Sequence, residues 1–231
     1  MFELSGMSDA VVALVQIMVI NVVLSGDNAV VIALACRPLS PSHQRQAFIY
    51  GSVGIVVLMV ILTMFVVFLL SLPYLEMAGG ALLLWIGVKL LIAEDEGDNK
   101  VEEKSGLIAA IKTIIIADIV MSLDNVLAMA AVAKGHMWML IFGLIITIPV
   151  VLFCSALLIK IMGRYPITII IGAGLIGYVA GDMVVTDLAI KAWVDANFSS
   201  LHIIAPVAGA IFVIATGKIL EHVAAKNTAS P

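Results

Sequence analysis

The chain has 231 residues, of which 63% are hydrophobic and only 12% are charged. Soluble domains carry about a quarter charged residues, so this composition excludes a protein that is surrounded by water. The formal net charge of −4 argues against nucleic-acid binding, and we expect no nucleic-acid partner. Lipid is the expected solvent, and the composition predicts an integral membrane protein.

Seven apolar runs follow one another along the chain, and each can supply the roughly 20 residues that a membrane-spanning helix needs. They cover about 9–36, 47–71, 75–93, 106–133, 137–160, 166–185 and 202–221. Lipid offers no hydrogen-bond partner to a backbone group, so the runs must form either helices or a closed barrel. They are far longer than barrel strands and do not alternate, and we therefore expect every run to be helical in an all-α bundle. Because the runs use nearly the whole chain, they predict a single transmembrane domain over residues 1–231.

Turn-forming and polar segments separate the runs. Pro41 follows the first run and Pro73 divides the second from the third, since proline removes a backbone donor and restricts the residue before it. The acidic segment 94–99 divides the third run from the fourth. The segment 186–201 carries Trp193 among charged residues, and we expect either a short helix in the outer membrane interface or a plain loop there.

The basic residues are distributed unevenly between the two sides of the predicted bundle. If the runs alternate in direction, ten of the 12 Lys and Arg residues fall on one side, and only Lys134 and Lys191 fall on the other. The positive-inside rule makes the side with more basic residues cytoplasmic. This distribution predicts an outside N-terminus, a cytoplasmic C-terminus and an odd number of spans.

Two segments of the chain resemble each other. Residues 21–33 and 118–130 share five of thirteen positions, including the Ser, Asp and Asn of a common S-x-D-N pattern. Residues 79–89 resemble 172–182 in the same way. We therefore predict a three-helix unit that is duplicated, with repeat 1 at about 9–93, repeat 2 at about 106–185 and a seventh helix at about 202–221. Three is an odd number, so the copies are inverted, as in transporters whose substrate site lies at the membrane midplane.

Four aspartates lie inside the predicted spans, where a charged Asp costs at least about 2.5–3.5 kcal/mol. Neighbouring carboxylates cannot all stay ionised without a counter-charge. A divalent cation supplies that charge and takes carboxylate, amide and hydroxyl oxygens as ligands. The candidate metal ligands are Ser25, Asp27, Asn28, Asp118, Ser122, Asp124, Asn125 and Asp182.

Two of these acids have alternative explanations. Lys89 is the obvious partner of Asp182, and the two residues either form a buried structural ion pair or gate the site. Asp118 is alternatively a protonated residue that hydrogen bonds to a neighbouring helix. For Asp27 and Asp124 we favour metal binding, because a costly residue recurs at matched positions of the two copies.

Helical spacing brings some of the candidates together. Asp118, Ser122 and Asn125 are spaced i, i+4, i+7 and share one face of the helix. Asp124, the aspartate of the S-x-D-N pattern, lies about 100° around the helix from that face. The first run has the same arrangement. There Gly26 predicts a break in the helix that would turn Asp27 towards the shared face.

An all-oxygen ligand set suits Mn²⁺, Mg²⁺ or Ca²⁺, whereas zinc and copper sites prefer His and Cys. All four histidines of the chain fall at the ends of predicted helices. Met121 follows Asp118 on the same face and is either a packing residue or a soft contact that favours Mn²⁺. We take Mn²⁺ as the transported ion, with Ca²⁺ and Mg²⁺ as alternatives.

The segments SGDNAV at 25–30 and ADIVMSLDNV at 117–126, together with the helix spacing, resemble the TerC family of membrane proteins in its shorter branch. The resemblance covers most of residues 9–221. It implies manganese export, a distant relation to the small-solute exporters of the LysE superfamily, and for some members tellurite resistance or metal supply to exported proteins. The acidic motif residues of the family fall on Asp27, Asp118 and Asp124, with Asn28 and Asn125 beside them.

The leading expectation is therefore efflux of Mn²⁺ across a bacterial cytoplasmic membrane by alternating access. Its partners are the metal ion and the lipid bilayer, with a second copy of the chain or a secretion-associated protein as further possibilities. One alternative is an accessory protein that delivers metal to exported enzymes or takes part in tellurite resistance. Export of an organic solute and an intramembrane aspartyl protease with two catalytic carboxylates are the others. We expect no enzyme activity.

Overall fold

A computed structural model describes residues 26–69, 72–92, 103–133 and 137–228. Within these residues the chain forms eight α-helices and no strand, which confirms the all-α prediction for this part. The helices are α1 (Gly26–Cys36), α2 (Pro41–Leu69), α3 (Leu75–Ile92), α4 (Glu103–Ala133), α5 (Met137–Arg164), α6 (Ile167–Thr186), α7 (Lys191–Asn197) and α8 (Leu201–Thr228).

The helix bounds follow the apolar runs and their breaks. Residues 37–40 form the expected turn, and Pro41 begins α2 at the position where a missing N–H leaves no helical bond unmade. The segment 186–201 contains the short helix α7, so the plain-loop alternative is wrong. Residues 9–25 and the acidic segment 94–99 lie outside the described residues.

Four of the described helices are long and apolar enough to cross a membrane. These stretches are Pro41–Leu62, Leu75–Ile92, Ile167–Thr186 and Leu201–Val223. Many of their outward side chains are apolar, as contact with lipid requires: Val57, Ile171 and Ile211 are all exposed. The predicted count of seven spans includes stretches outside the described part of the chain and stays a prediction.

Helices α3, α6 and α8 pack extensively against one another. Gly181 of α6 lies against Ala205 of α8, and Gly174 lies against Ile214, so these two helices run antiparallel. Helix α3 crosses α6 with the same antiparallel sense. We call these three helices the α3/α6/α8 group.

The other long helices form a second set of close neighbours. Helix α2 packs mainly against α4, and α1 packs against both α4 and α5. Gly51 of α2 lies against Ile114 of α4, where its missing side chain lets the two helices approach closely. We call these helices the α1/α2/α4/α5 group. The two groups meet where α3 contacts α4 and where α6 contacts α1.

Contacts between turns show which connections share an end of the bundle. Leu39, in the turn after α1, lies beside Gly106 in the first turn of α4. At the other end, Asp187 after α6 accepts hydrogen bonds from Tyr74 and Met77 at the start of α3. The connections before α3 and after α6 therefore lie together, away from the connection between α1 and α2.

Candidate functional site

Three of the predicted ligands have side chains that the structure describes as buried. Asn28 on α1 is 6% exposed, and Asp118 and Ser122 on α4 are 2% and 0% exposed. The backbone of α4 is helical without a break from Glu103 to Ala133. Asp118 and Ser122 therefore lie one turn apart on one face, as the spacing predicted.

The surroundings of this polar pair are apolar. Ala117, Val120 and Met121, its neighbours on α4, are all buried among hydrophobic side chains. The hydroxyl oxygen of Ser122 is buried without a hydrogen-bond partner among the described residues, and both carboxylate oxygens of Asp118 are inaccessible to solvent. A buried hydroxyl that makes no hydrogen bond costs about 1–3 kcal/mol, so an oxygen-seeking ligand at this position would stabilise the structure.

The remaining motif residues lie at the edge of what the structure describes. Ser25 precedes the described residues, and the side chains of Asp27, Asp124 and Asn125 are outside them, although the last two lie on the continuous helix α4. Among the described residues no group of three His, Cys, Asp or Glu side chains is placed to hold a metal ion.

Asp182 does not lie in the buried centre of the bundle, and the expectation of burial was wrong. It is exposed on α6, on the outward face that also carries Leu175 and Tyr178. It also lies one helical turn before the end of α6 at Thr186, where the cost of a charge near the membrane surface is lower than at the centre. The hydropathy pattern shows that Asp182 lies within an apolar run, but it does not show which face of α6 the residue occupies.

Lys89 and Asp182 are not ion-paired in the described part of the chain. Lys89 is exposed near the end of α3, and its Nζ lies 5.3 Å from the ring centroid of Trp85, a cation–π geometry. Because α3 and α6 are antiparallel and Gly80 contacts Ala180 and Met183, Asp182 lies at about the level of Gly80 along the bundle. Lys89 is nine residues further along α3, or roughly 14 Å along the helix axis, which explains why the predicted pair does not form.

Asp187 is a buried acid that the sequence analysis did not single out. It follows α6, is 1% exposed, and accepts hydrogen bonds from the backbone N–H groups of Tyr74 at 2.9 Å, Met77 at 3.1 Å and Ala189 at 2.8 Å. The first two donors are at the N-terminus of α3, where N–H groups have no helical partner and the helix dipole favours negative charge. Asp187 therefore caps α3 from a distant part of the chain.

The chemistry of this cap sets the charge of Asp187. Burial alone would raise the pKa of the carboxyl group, but backbone hydrogen bonds from Ala189, Met77, Tyr74 and Glu76 outweigh it and hold the pKa below its ordinary value. The carboxylate of Asp187 is thus ionised, and its charge is stabilised by backbone N–H groups at the end of the bundle.

The sequence contained one signal for this contact. The residues just before α3, Leu72, Pro73 and Tyr74, include no Ser, Thr, Asp or Asn that could cap the helix locally. In the structure, Tyr74 has a positive φ of 67°. This conformation costs a non-glycine residue energy unless its surroundings hold it. A helix start without its own cap indicates that a residue from elsewhere supplies one.

Comparisons with known proteins agree with the membrane architecture. The profile described as "Integral membrane protein TerC family" matches residues 7–225. The uncharacterized membrane protein YjbE of Bacillus subtilis (strain 168) is 36% identical over 89% of this chain and 94% of its own length. YkoY, an uncharacterized membrane protein of the same strain, is 24% identical over 62% of this chain and half of its own length. No solved structure matches. The chain is a multi-pass membrane protein.

Proposed function

Because the chain belongs to the TerC family of integral membrane proteins, which is associated with metal transport, we propose that it carries a divalent metal ion across the membrane. The transported ion is Mn²⁺, and the direction is out of a bacterial cytoplasm. The observation that carries this proposal is the buried Asp118–Ser122 pair in the middle of α4.

The position of Asp118 within its helix supports a bound cation. Asp118 is the sixteenth residue of the 31-residue α4, so the backbone N–H groups around it are already used in helical hydrogen bonds. A divalent cation held by carboxylate and hydroxyl oxygens would offset the charge of Asp118 and give the hydroxyl of Ser122 a partner.

The proposed ligand set draws on both motif segments. It consists of Asp118 and Ser122 on α4 and Asn28 on α1, which packs against α4, completed by the remaining motif residues Ser25, Asp27, Asp124 and Asn125. Asp182 is exposed and is left out of this set. Oxygen ligands suit Mn²⁺, with Mg²⁺ and Ca²⁺ as competitors.

Reciprocal packing supports the inverted repeat on which alternating access would depend. If α1, α2 and α3 correspond to α4, α5 and α6, each contact between different helices should have a counterpart. The α2–α4 contact has its counterpart in α5–α1, and α3–α4 has its counterpart in α6–α1. Gly79 and Gly172, which occupy equivalent positions, each contact a helix of the other predicted repeat: Gly79 of α3 lies against Val120 of α4, and Gly172 of α6 lies against Val30 of α1, although the two valines are not equivalent.

The proposed topology has the N-terminus outside and the C-terminus in the cytoplasm. It requires the connections before α3 and after α6 to share one side of the membrane, and Asp187 joins these connections directly. It also requires the turn after α1 and the start of α4 to share the other side, where Leu39 meets Gly106.

A matched pair of substitutions tests the site. In proteoliposomes that contain only the purified chain, Asp118→Asn should reduce Mn²⁺ flux by at least about 10- to 100-fold, the loss that changes beside a metal ligand commonly cause. The same substitution at exposed Asp182 should leave flux within about twofold of the wild type, as expected away from the ligands.

Three readouts decide the outcome. Wild-type flux in Asp118→Asn would reject the proposed site, and absence of flux in the wild type would reject transport by this chain alone. Saturable Mn²⁺ binding without flux would instead indicate the accessory role in metal delivery. Tolerance of a manganese-sensitive host to added Mn²⁺ tests the direction, since only export protects the cell.

A further inference from the structure

We infer that the protein moves as two bodies, and that the α1/α2/α4/α5 group, which carries the metal ligands, slides against the rigid α3/α6/α8 group. This inference rests on the proposed transport function and assigns the moving contact. The contact includes two glycine–valine pairs, Gly79 with Val120 and Gly172 with Val30.

Backbone contacts lock the α3/α6/α8 group. A Cβ atom added at Gly177 would lie 2.5 Å from the carbonyl oxygen of Gly209, and one added at Gly181 would overlap the carbonyl oxygen of Ala205. On the other face of α6, a Cβ atom added at Gly80 of α3 would lie 2.6 Å from the carbonyl oxygen of Ala180. At these positions the helix backbones are in direct contact, as in membrane helix pairs with small residues at the interface.

The cap at Asp187 adds a polar connection to the same group. Its carboxylate links the end of α6 to the first turn of α3 through the N–H groups of Tyr74 and Met77. Charge-assisted hydrogen bonds to a buried carboxylate are stronger than neutral ones. Separation of α3 from α6 would therefore expose both a charge and two helical N–H groups.

The glycines at the boundary between the two groups meet side chains only and no backbone carbonyl oxygen. A Cβ atom added at Gly79 would meet the Cγ1 methyl of Val120 at 2.6 Å, and one added at Gly172 would meet Cγ1 of Val30 at 2.9 Å. In both pairs a methyl group of a stiff β-branched side chain lies over a flat glycine surface. Because glycine has no side chain, it forms no ridge that would have to leave a groove when the two helices shift relative to each other.

These contacts lie close to the metal ligands along the chain. Val120 is two residues from both Asp118 and Ser122, and Val30 is two residues from Asn28. Two residues turn a helix by about 200°, so each ligand points away from the valine on its own helix. Helices α4 and α1 thus direct their valines to the α3/α6/α8 group and their ligands into their own group. If α4 and α1 shift at their contacts with the α3/α6/α8 group, the metal ligands on these two helices move with them.

Two disulfides that start from the same helix test the inference. In a chain with Cys36→Ala and Cys154→Ala, the pair Gly79→Cys and Val120→Cys joins α3 to α4 across the boundary. Their Cβ atoms would lie 3.6 Å apart, within the roughly 3.5–4.5 Å that disulfides need. The control pair, Leu91→Cys and Gly217→Cys, joins α3 to α8 within one group, with Cβ atoms 3.2 Å apart, slightly closer than this range.

Mn²⁺ flux into proteoliposomes is measured after oxidation with copper phenanthroline and again after reduction with dithiothreitol. We expect the α3–α4 disulfide to lower flux at least tenfold and reduction to restore it. The α3–α8 disulfide should leave flux within twofold of the reduced protein. Mass spectrometry of the digested protein measures how completely each disulfide has formed.

Unchanged flux with a complete α3–α4 disulfide would overturn the inference, and so would equal loss with both disulfides or failure of the α3–α4 pair to oxidise. Absence of flux in the cysteine-free parent has a different meaning, because it rejects the transport function and the two-body motion together. Flux in the reduced α3–α4 variant that is lost on oxidation supports both.

Discussion

The two buried aspartates of the described structure have different physical explanations. Asp187 lies at the end of the bundle, where three backbone N–H groups satisfy its carboxylate. Asp118 lies in the centre of α4, where helical hydrogen bonds already use the backbone donors. The cap therefore accounts for Asp187 as a structural residue, whereas burial of Asp118 beside the hydroxyl of Ser122 is the reason to expect a cation.

Removal of the charge on Asp187 should destabilise the fold without a direct effect on the metal site. In Asp187→Asn the amide NH₂ would face a backbone N–H donor, and a buried donor without an acceptor costs about 1–3 kcal/mol. Unfolding of the purified protein in mixed micelles measures the loss. Asp195→Asn is the control, because Asp195 is exposed and its contact with His202 at 2.7 Å should contribute about 0–1 kcal/mol. Equal stability of the two variants would contradict the cap.

The lowered pKa of Asp187 gives this contribution a pH dependence. A carboxyl group with a pKa below its unfolded value stabilises the fold above that unfolded value, which is about 3.9 for Asp, and the stabilisation is lost as the pH falls through the folded value. Acidification below about pH 4 should therefore reduce the stability of the wild type more than that of Asp187→Asn. Parallel acid profiles for the two proteins would contradict this explanation.

At the scale of the helices, local sequence signals predicted most of what the structure shows. The lengths of the apolar runs and the positions of Pro41 and Pro73 set the helix bounds, because both signals act within a few residues. The outward position of Asp182 was not predictable, since it depends on which face of α6 packs against α3 and α8. The cap of α3 by Asp187 joins residues more than one hundred positions apart, and only the missing local cap hinted at it.

The glycines of α6 predict a large difference between two similar substitutions. Gly181→Ala would place a methyl group against the carbonyl oxygen of Ala205 and 2.8 Å from Cα of Pro206. Overpacking of this kind typically costs about 1–3 kcal/mol, and sometimes more. Gly163→Ala on α5 is the control, because nothing lies within 4 Å of its added Cβ. Thermal unfolding followed by tryptophan fluorescence should show a clear loss only for Gly181→Ala, and equal midpoints would refute the close packing of α6 and α8.

At the scale of the molecule, the duplicated motif predicts a relation between two halves of the chain. The S-x-D-N segments could be aligned because they are short and distinctive. The division into two packing groups was not visible in the sequence, because it cuts across both predicted repeats: α3 and α6, one from each predicted repeat, pack with α8. Glycines are visible in a sequence, but the helix that each one contacts is a property of the whole fold.

The most direct test of the account is a crystal structure of the protein grown with Mn²⁺, with anomalous scattering used to locate the metal. We predict a peak between α1 and α4, about 2.0–2.6 Å from a carboxylate oxygen of Asp118, the range of oxygen distances for hard divalent cations. The peak should be absent from crystals of Asp118→Asn. A structure in saturating Mn²⁺ that has no peak there, with Asp27 and Asp124 directed away from each other, would contradict the central claim.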